Sequence, residues 1–395
     1  VFFMELMLRW RGGRPEHGPI LKALGPDVLV LEGAAADFSL TGVAVKTEAE
    51  LGVVVKDGLW PGIRRAGSRR AREEEVASAS AEPWVDANSY LVAYHRALQP
   101  GKAITLGYEA NERAGVKPDV LTPFGTVELA LVEARIAGGN FIVDLPAGFR
   151  EKLIEGEAKA IEEWKNLART AQWLKQNEGL LGKPALGQVV GLVETGMATR
   201  EIANLLHRRA VSPRLWRADL ALPSGLMPRA IVAAGLKQIP EASYRYVEGG
   251  GLLVVDQPAP SAARMVRQEA DRDYLSLGKG SIVAYKRRIV DPSEFALDVI
   301  DLITHKQRAT RLWNAQAAIP LATEGEKPGE ALLHVVNYGS SAREEIQAHI
   351  QGHFSKAKMY CPERAPVELK TARRGASTEV FLPALQRVAT VRFSS

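Results

Sequence analysis

Two glutamates stand where this sequence could do chemistry. Glu32 and Glu109 each close a short, continuously apolar run, at residues 27–33 and 103–109, and Asp144 sits near the end of a third, at 140–146. Runs of this length and character suit strands covered on both faces. Parallel strands of that kind, wound with helices, project the side chains at their C-terminal ends into one mouth. Two carboxyl groups facing one bond there can split a glycosidic linkage, one giving a proton and the other acting as nucleophile or base. Glu32 and Glu109 are the expected catalytic pair, although a carboxylate such as Glu32 can equally accept N–H bonds at a helix start. A sugar ring has an apolar face and a rim of hydroxyls, so its site needs aromatic and polar neighbours. Trp84, Tyr90, Tyr108, Asn111 and Asp144 lie near the strand ends or in the loops between them and form the expected substrate-binding set, with Trp10 and Trp60 as further aromatic candidates.

The elements that must position these residues follow a βα rhythm over the first 182 residues. An amphipathic helix at 127–137 with a Gly138-Gly139 stop leads into the third strand, and a further strand is expected at 2–8. Three or four such units make about half of a (β/α)8 barrel, which leaves two unpaired sheet edges unless another chain or missing sequence completes them. Residues 150–178 carry an apolar stripe at helical spacing and predict a long linking helix, ended by Gly179 to Pro184. From 183 to 312 a second α/β pattern predicts a small doubly wound, flavodoxin-like domain. Its strands are expected near 189–193, 227–233, 251–256 and 278–285, and its helices at 199–209, 241–247 and 291–303. Residues 313–395 switch to short alternating strands separated by Gly, Pro or charged turns, which predict a small antiparallel β-sandwich.

Composition narrows the function class. Lys and Arg number 51 against 46 Asp and Glu, a net charge of +5 over 395 residues, which is a weak field for nucleic acid. The densest basic stretch, Arg64 to Arg72, runs straight into Glu73, Glu74 and Glu75 and reads as a solvated loop. The one cysteine, Cys361, excludes an intrachain disulfide and a thiolate cluster and fits a reducing compartment, the cytoplasm. No apolar run reaches the ~18–20 residues that cross a bilayer, so no membrane partner is expected. Seven histidines are scattered without zinc-site pairing. Gly249 to Gly251 precede a strand instead of following one, so they are not a dinucleotide loop, and no Gly-x-Ser-x-Gly elbow occurs. No cofactor and no metal are therefore expected.

The corner Tyr246-Val247-Glu248-Gly249-Gly250-Gly251-Leu252-Leu253-Val254 resembles the middle domain of beta-galactosidases of glycoside hydrolase family 42. The link Arg214-Leu215-Trp216-Arg217-Ala218-Asp219 and the run Leu332-Leu333-His334-Val335-Val336-Asn337-Tyr338, placed like the start of their terminal sandwich, extend the resemblance over residues 185–395. It implies a glycosidase barrel, then a flavodoxin-like domain related to class I glutamine amidotransferases without their chemistry, then a β domain. The middle domain here has no cysteine to serve as nucleophile. The resemblance also implies a carbohydrate substrate, a homo-oligomer, and a nucleophile matching Glu109 at a late barrel strand. The acid/base of such barrels, an Asn-Glu pair ending the fourth strand, has no counterpart upstream of Glu109, and Asn111-Glu112 lies beyond its strand. Two readings follow: a glycoside hydrolase acting on a β-linked sugar, or a non-catalytic carbohydrate-binding or assembly protein that keeps a barrel remnant.

Overall fold

The computed structural model describes residues 5–11, 14–32, 42–63, 85–109, 124–289, 292–303, 308–339 and 341–395. Its first unit is built on six parallel strands: β1 (Met7–Arg11), β2 (Val28–Glu32), β3 (Ala44–Lys46), β4 (Val53–Val55), β5 (Ile104–Leu106) and β6 (Asn140–Asp144). They are arranged β3-β2-β1-β6-β5-β4, so sequence neighbours pair and the last strand pairs with the first. Among the described residues that is the order of a barrel with one open seam, between β3 and β4. The expected half-barrel is thus a partial barrel with two extra, three-residue strands; of the first strand expected at 2–8, residues 2–4 lie outside the described residues, and the described strand is Met7–Arg11.

The seam has a local cause. No α-helix separates β3 from β4; a single 3-10 turn, Glu48–Leu51, does. Thr47 caps it, with its backbone N–H donating to Glu50 at 2.7 Å. The turn drives Leu51 into the sheet's inner face, where it packs with Met7, Val28, Val30, Ile142 and Val54. The other face of the strands, with Leu8, Trp10, Leu29, Leu31 and Phe141, packs against the helices.

The helix Phe124–Ile136 is apolar nearly all round, and the fold explains why. It is covered by the barrel sheet, by the helix Ala158–Gln176, and by residues Ile319, Val336 and Tyr338 of the C-terminal domain. The expected linking helix is two helices, Ala147–Ile154 and Ala158–Gln176, broken at Gly156, whose φ of 77° favours glycine. Trp164 ties the longer one to the barrel by donating its indole N–H to the Leu24 carbonyl at 2.8 Å.

The second unit is a seven-stranded sheet. Its parallel part, Arg214–Arg217, Val189–Val193, Ala230–Ala233, Leu252–Val255 and Gly280–Tyr285, runs in the order 2-1-3-4-5, the order of flavodoxin-like sheets. Helices Met197–Arg208 and Pro292–Ile303 pack on one face and Glu241–Glu248 on the other. The hairpin Arg264–Gln268 and Arg272–Leu277 adds two antiparallel strands where a crossover helix would stand.

The last unit is a sandwich of two antiparallel sheets, of four and five strands, closing on Leu333, Val335, Ile350, Met359, Val391 and Phe393. Thr310–Trp313 and Ala318–Glu324 are strands of this unit that the alternation further along did not reveal.

Candidate active site at the barrel mouth

Strand β1 supplies the centre of the mouth. Met7, Arg9 and Arg11 alternate onto the inner face, leaving Leu8 and Trp10 to the helix layer. Arg9 is fully buried and would be untenable there without anionic partners. Its guanidinium meets Glu48 at 2.5 Å and Asp144 at 3.7 Å, and it donates to the Gly107 carbonyl at 2.9 Å. A side chain at position 107 would crowd that approach, since a Cβ there would stand 2.6 Å from Val54 and 3.4 Å from Arg9. Glu48 also takes Lys56 at 2.5 Å. Burial raises its pKa, but the hydrogen bonds from Lys56 and Arg9 outweigh that and hold it below the usual carboxylate range.

One turn of the strand higher, Arg11 reaches the rim. The same Nη2 atom lies 3.3 Å from Asp144 and 3.5 Å from Glu109. The two carboxylate oxygens can therefore be no further apart than those distances laid end to end, about 7 Å. Their exposure differs sharply: the Glu109 side chain is 38% exposed and that of Asp144 only 3%. Glu109 faces what enters the mouth, while Asp144 braces Arg9 and Arg11 from below. The backbone of Glu109 is fixed by the Trp60 indole N–H, which donates to its carbonyl at 3.1 Å.

The residues expected at this site are distributed as follows. Glu109 and Asp144 meet through Arg11. Glu32 ends β2 with its backbone in register with Arg11; its side chain is outside the described residues, as are Trp84 and Asn111. Tyr108 is corrected from sugar contact to core: it is fully buried, ring against Trp60 and Phe141 at centroid distances of 5.2 and 5.3 Å. Tyr108 and Glu109 follow the end of β5, where the chain turns Tyr108 into the core and leaves Glu109 half-exposed. Trp10 and Trp60 are likewise buried. Tyr90 lies on the helix Ser89–Leu98 and lines a cavity against the second domain, away from Glu109. Among the described residues no cluster of His, Cys, Asp and Glu could hold a metal ion, and no helix is long and apolar enough to cross a membrane.

A buried polar chain went unread in the sequence. Glu133, fully buried on Phe124–Ile136, accepts from the Asn88 backbone at 2.8 Å, the Asn88 side chain at 2.7 Å and the Tyr338 hydroxyl at 3.1 Å. Ser89, next to Asn88 in the chain, shares a 2.5 Å hydrogen bond with His207. Through the adjacent residues Asn88 and Ser89 these bonds tie the barrel to both the sandwich and the middle domain. Burial pushes the Glu133 pKa up to about 7 against the opposing hydrogen bonds from Asn88 and Tyr338, and burial followed by the nearby Arg208 lowers that of His207 to about 4.

No family model matches this sequence, and no curated protein matches it. Solved structures do. A rhamnosidase from Novosphingobium sp. PP1Y is similar over 93% of this chain and 37% of its own, at 13% identity and a TM-score of 0.51. An α-L-fucosidase, isoenzyme 2 from Paenibacillus thiaminolyticus, is similar over 78% of this chain and 62% of its own, at 10% identity and a TM-score of 0.49. A GH42 beta-galactosidase from G. stearothermophilus is similar over 96% of this chain and 61% of its own, at 10% identity and a TM-score of 0.48. The chain spans no more than 62% of the length of these three structures. At such identities the likeness is one of architecture, and the rhamnosidase carries it: this chain has a glycosidase-type fold, a partial (β/α)8 barrel followed by an α/β domain and a β domain.

Proposed function

We propose that the chain is a glycoside hydrolase acting on a β-linked sugar, with Glu109 as the nucleophile and Glu32 as the proton donor. The observation that carries the reading is the solvent-facing Glu109 carboxylate, held at the strand-end mouth by Arg11 against the buried Asp144. Arg11 and Asp144 act as positioning residues, since they fix where the Glu109 carboxylate sits without needing to touch the sugar. Glu32 is assigned from its backbone, which pairs with Arg11 and so ends beside the same rim. A two-carboxylate mechanism needs no cofactor or metal. Trp84 and Asn111 belong to the sugar-binding part of this proposal. It also includes a reducing, cytoplasmic compartment, domain limits near 182 and 312, and a homo-oligomer, which sedimentation of the purified chain would test.

Release of nitrophenol from a panel of 4-nitrophenyl β-glycosides is the direct test. Turnover that falls at least about a thousandfold in Glu109→Gln, with the fold intact, supports the assignment. Unchanged turnover in that variant refutes it. A second reading, sugar binding without cleavage, draws on the same ion pair, because a guanidinium on the carboxylate competes with an incoming sugar carbon. Saturable sugar binding with no turnover on any substrate would establish it.

A further inference from the structure

A second concave site lies where the three units meet. A cavity of about 230 Å³ is bounded by the helix Ser89–Leu98, the segment 183–185 and the edge strand Arg214–Arg217. Arg11, Glu109 and Asp144 are not among its walls. The cationic side chains of Arg96, Lys183 and Arg214 line it, and among the described residues no acidic one does. Arg214 is matched by Glu324 at 2.9 Å. Arg96 bonds only to carbonyls, those of Ala137 at 2.7 Å and Gly182 at 3.1 Å, and among the described residues no carboxylate comes within ion-pair distance of Arg96 or Lys183. Partial burial lowers the pKa of Arg96, although the residue stays open to solvent on one side. The remaining wall is largely aromatic and aliphatic, with Tyr90, Leu215 and Trp216, and also carries the polar Ser89, His207 and Thr323. The Trp216 N–H is engaged by the Ala221 carbonyl at 3.1 Å.

A hollow with uncompensated positive charge on one side and aromatic carbon on the other attracts an anion with an apolar body. Drug-sized ligands fill ~300–1,000 Å³, so this volume suits a molecule of a single ring. We propose that the interdomain cavity binds a small ring-bearing carboxylate, with Lys183 and Arg96 on the carboxylate and Trp216 and Tyr90 beside the ring. The site is independent of the barrel mouth and of whether the mouth cleaves sugars.

Calorimetric titration of the full chain with two matched pairs of probes tests this: D-glucuronate against D-glucose, and benzoate against benzyl alcohol. At least one carboxylate should bind one-to-one, with its uncharged twin at least tenfold weaker. Lys183→Met, which keeps the stem and removes the charge, should weaken that binding at least tenfold, and Glu109→Gln should leave it unchanged. Circular dichroism of each variant separates loss of the site from loss of the fold, and Lys183→Gln serves as a second variant if the first is not folded. No binding by either carboxylate, equal binding of a charged and an uncharged twin, indifference to the loss of Lys183, or loss of binding in Glu109→Gln would each overturn the proposal.

Discussion

Replacing Glu133 by Gln separates two opposing effects that the buried polar chain combines. Holding an ionised carboxylate there costs stability: a pKa raised from 4.5 to about 7, at about 1.36 kcal/mol per pH unit, amounts to about 3 kcal/mol above pH 7. The folded state binds the proton more tightly than the unfolded chain, so stability is greatest below pH 4.5, falls as pH rises to about 7, and then levels. Gln removes that slope but brings its own fault. Asn88 is locked in one orientation, its Nδ2 donating to the Leu59 carbonyl at 2.6 Å and its Oδ1 accepting from the Leu59 N–H at 3.0 Å. Asn88 Nδ2 therefore keeps pointing at one oxygen of Glu133, while the Asn88 N–H and the Tyr338 hydroxyl point at the other. A Gln amide puts its NH2 against at least one of these donors and leaves a buried donor unpaired, costing about 1–3 kcal/mol. The variant should be clearly less stable than the parent at pH 5 and about equal to it at pH 8. Urea unfolding followed by tryptophan fluorescence at both pH values reads the difference. Parallel stability curves for parent and variant between pH 5 and 8 would refute the reasoning.

Other substitutions probe the same framework. Arg9→Met removes the cation shared by Glu48 and Asp144 and should destabilise the barrel by about 3–5 kcal/mol, read as a lowered unfolding midpoint, because two carboxylates lose their buried partner. Ser89→Ala leaves His207 without its hydroxyl partner and should cost about 1–3 kcal/mol in the same measurement, while Ser89→Cys should not restore it fully, since a thiol is the weaker partner. Trp164→Phe keeps the ring's burial but deletes the bond to Leu24, and a loss of about 1 kcal/mol in thermal unfolding is expected.

The parts of the fold that could be read in advance are those with a strong periodic signature. The runs expected at 27–33, 103–109 and 140–146 hold the strands Val28–Glu32, Ile104–Leu106 and Asn140–Asp144, because continuous apolar residues are tolerated only where both faces are covered. The glycine turn at 249–251 ends its helix and feeds the strand Leu252–Val255. By contrast β3 and β4, three residues each, are too short to show a period, and the closure of the sheet depends on them. Arg9 and Arg11 read as surface residues by type. The signal that could have found them is their alternation with Leu8 and Trp10 inside an apolar strand. Glu133 carried a similar signal, one carboxylate within the apolar stretch Val127 to Ala137, which has to find buried donors. Those donors come from Asn88 and Tyr338, far apart in the chain, and no local pattern names them. Asp144 was legible as a strand-end acid and Glu109, expected to close its strand, lies three residues beyond the end of it, but their shared Arg11 was not legible, because pairing registers are set by tertiary packing.

The claim that Glu109 carries glycosidic chemistry is tested most directly by chemical rescue. With Glu109→Ala, hydrolysis of an activated nitrophenyl β-glycoside should be lost. Added azide, small enough to occupy the vacated space, should restore nitrophenol release and yield the glycosyl azide of inverted anomeric configuration. Undiminished hydrolysis by Glu109→Ala without azide would contradict the account.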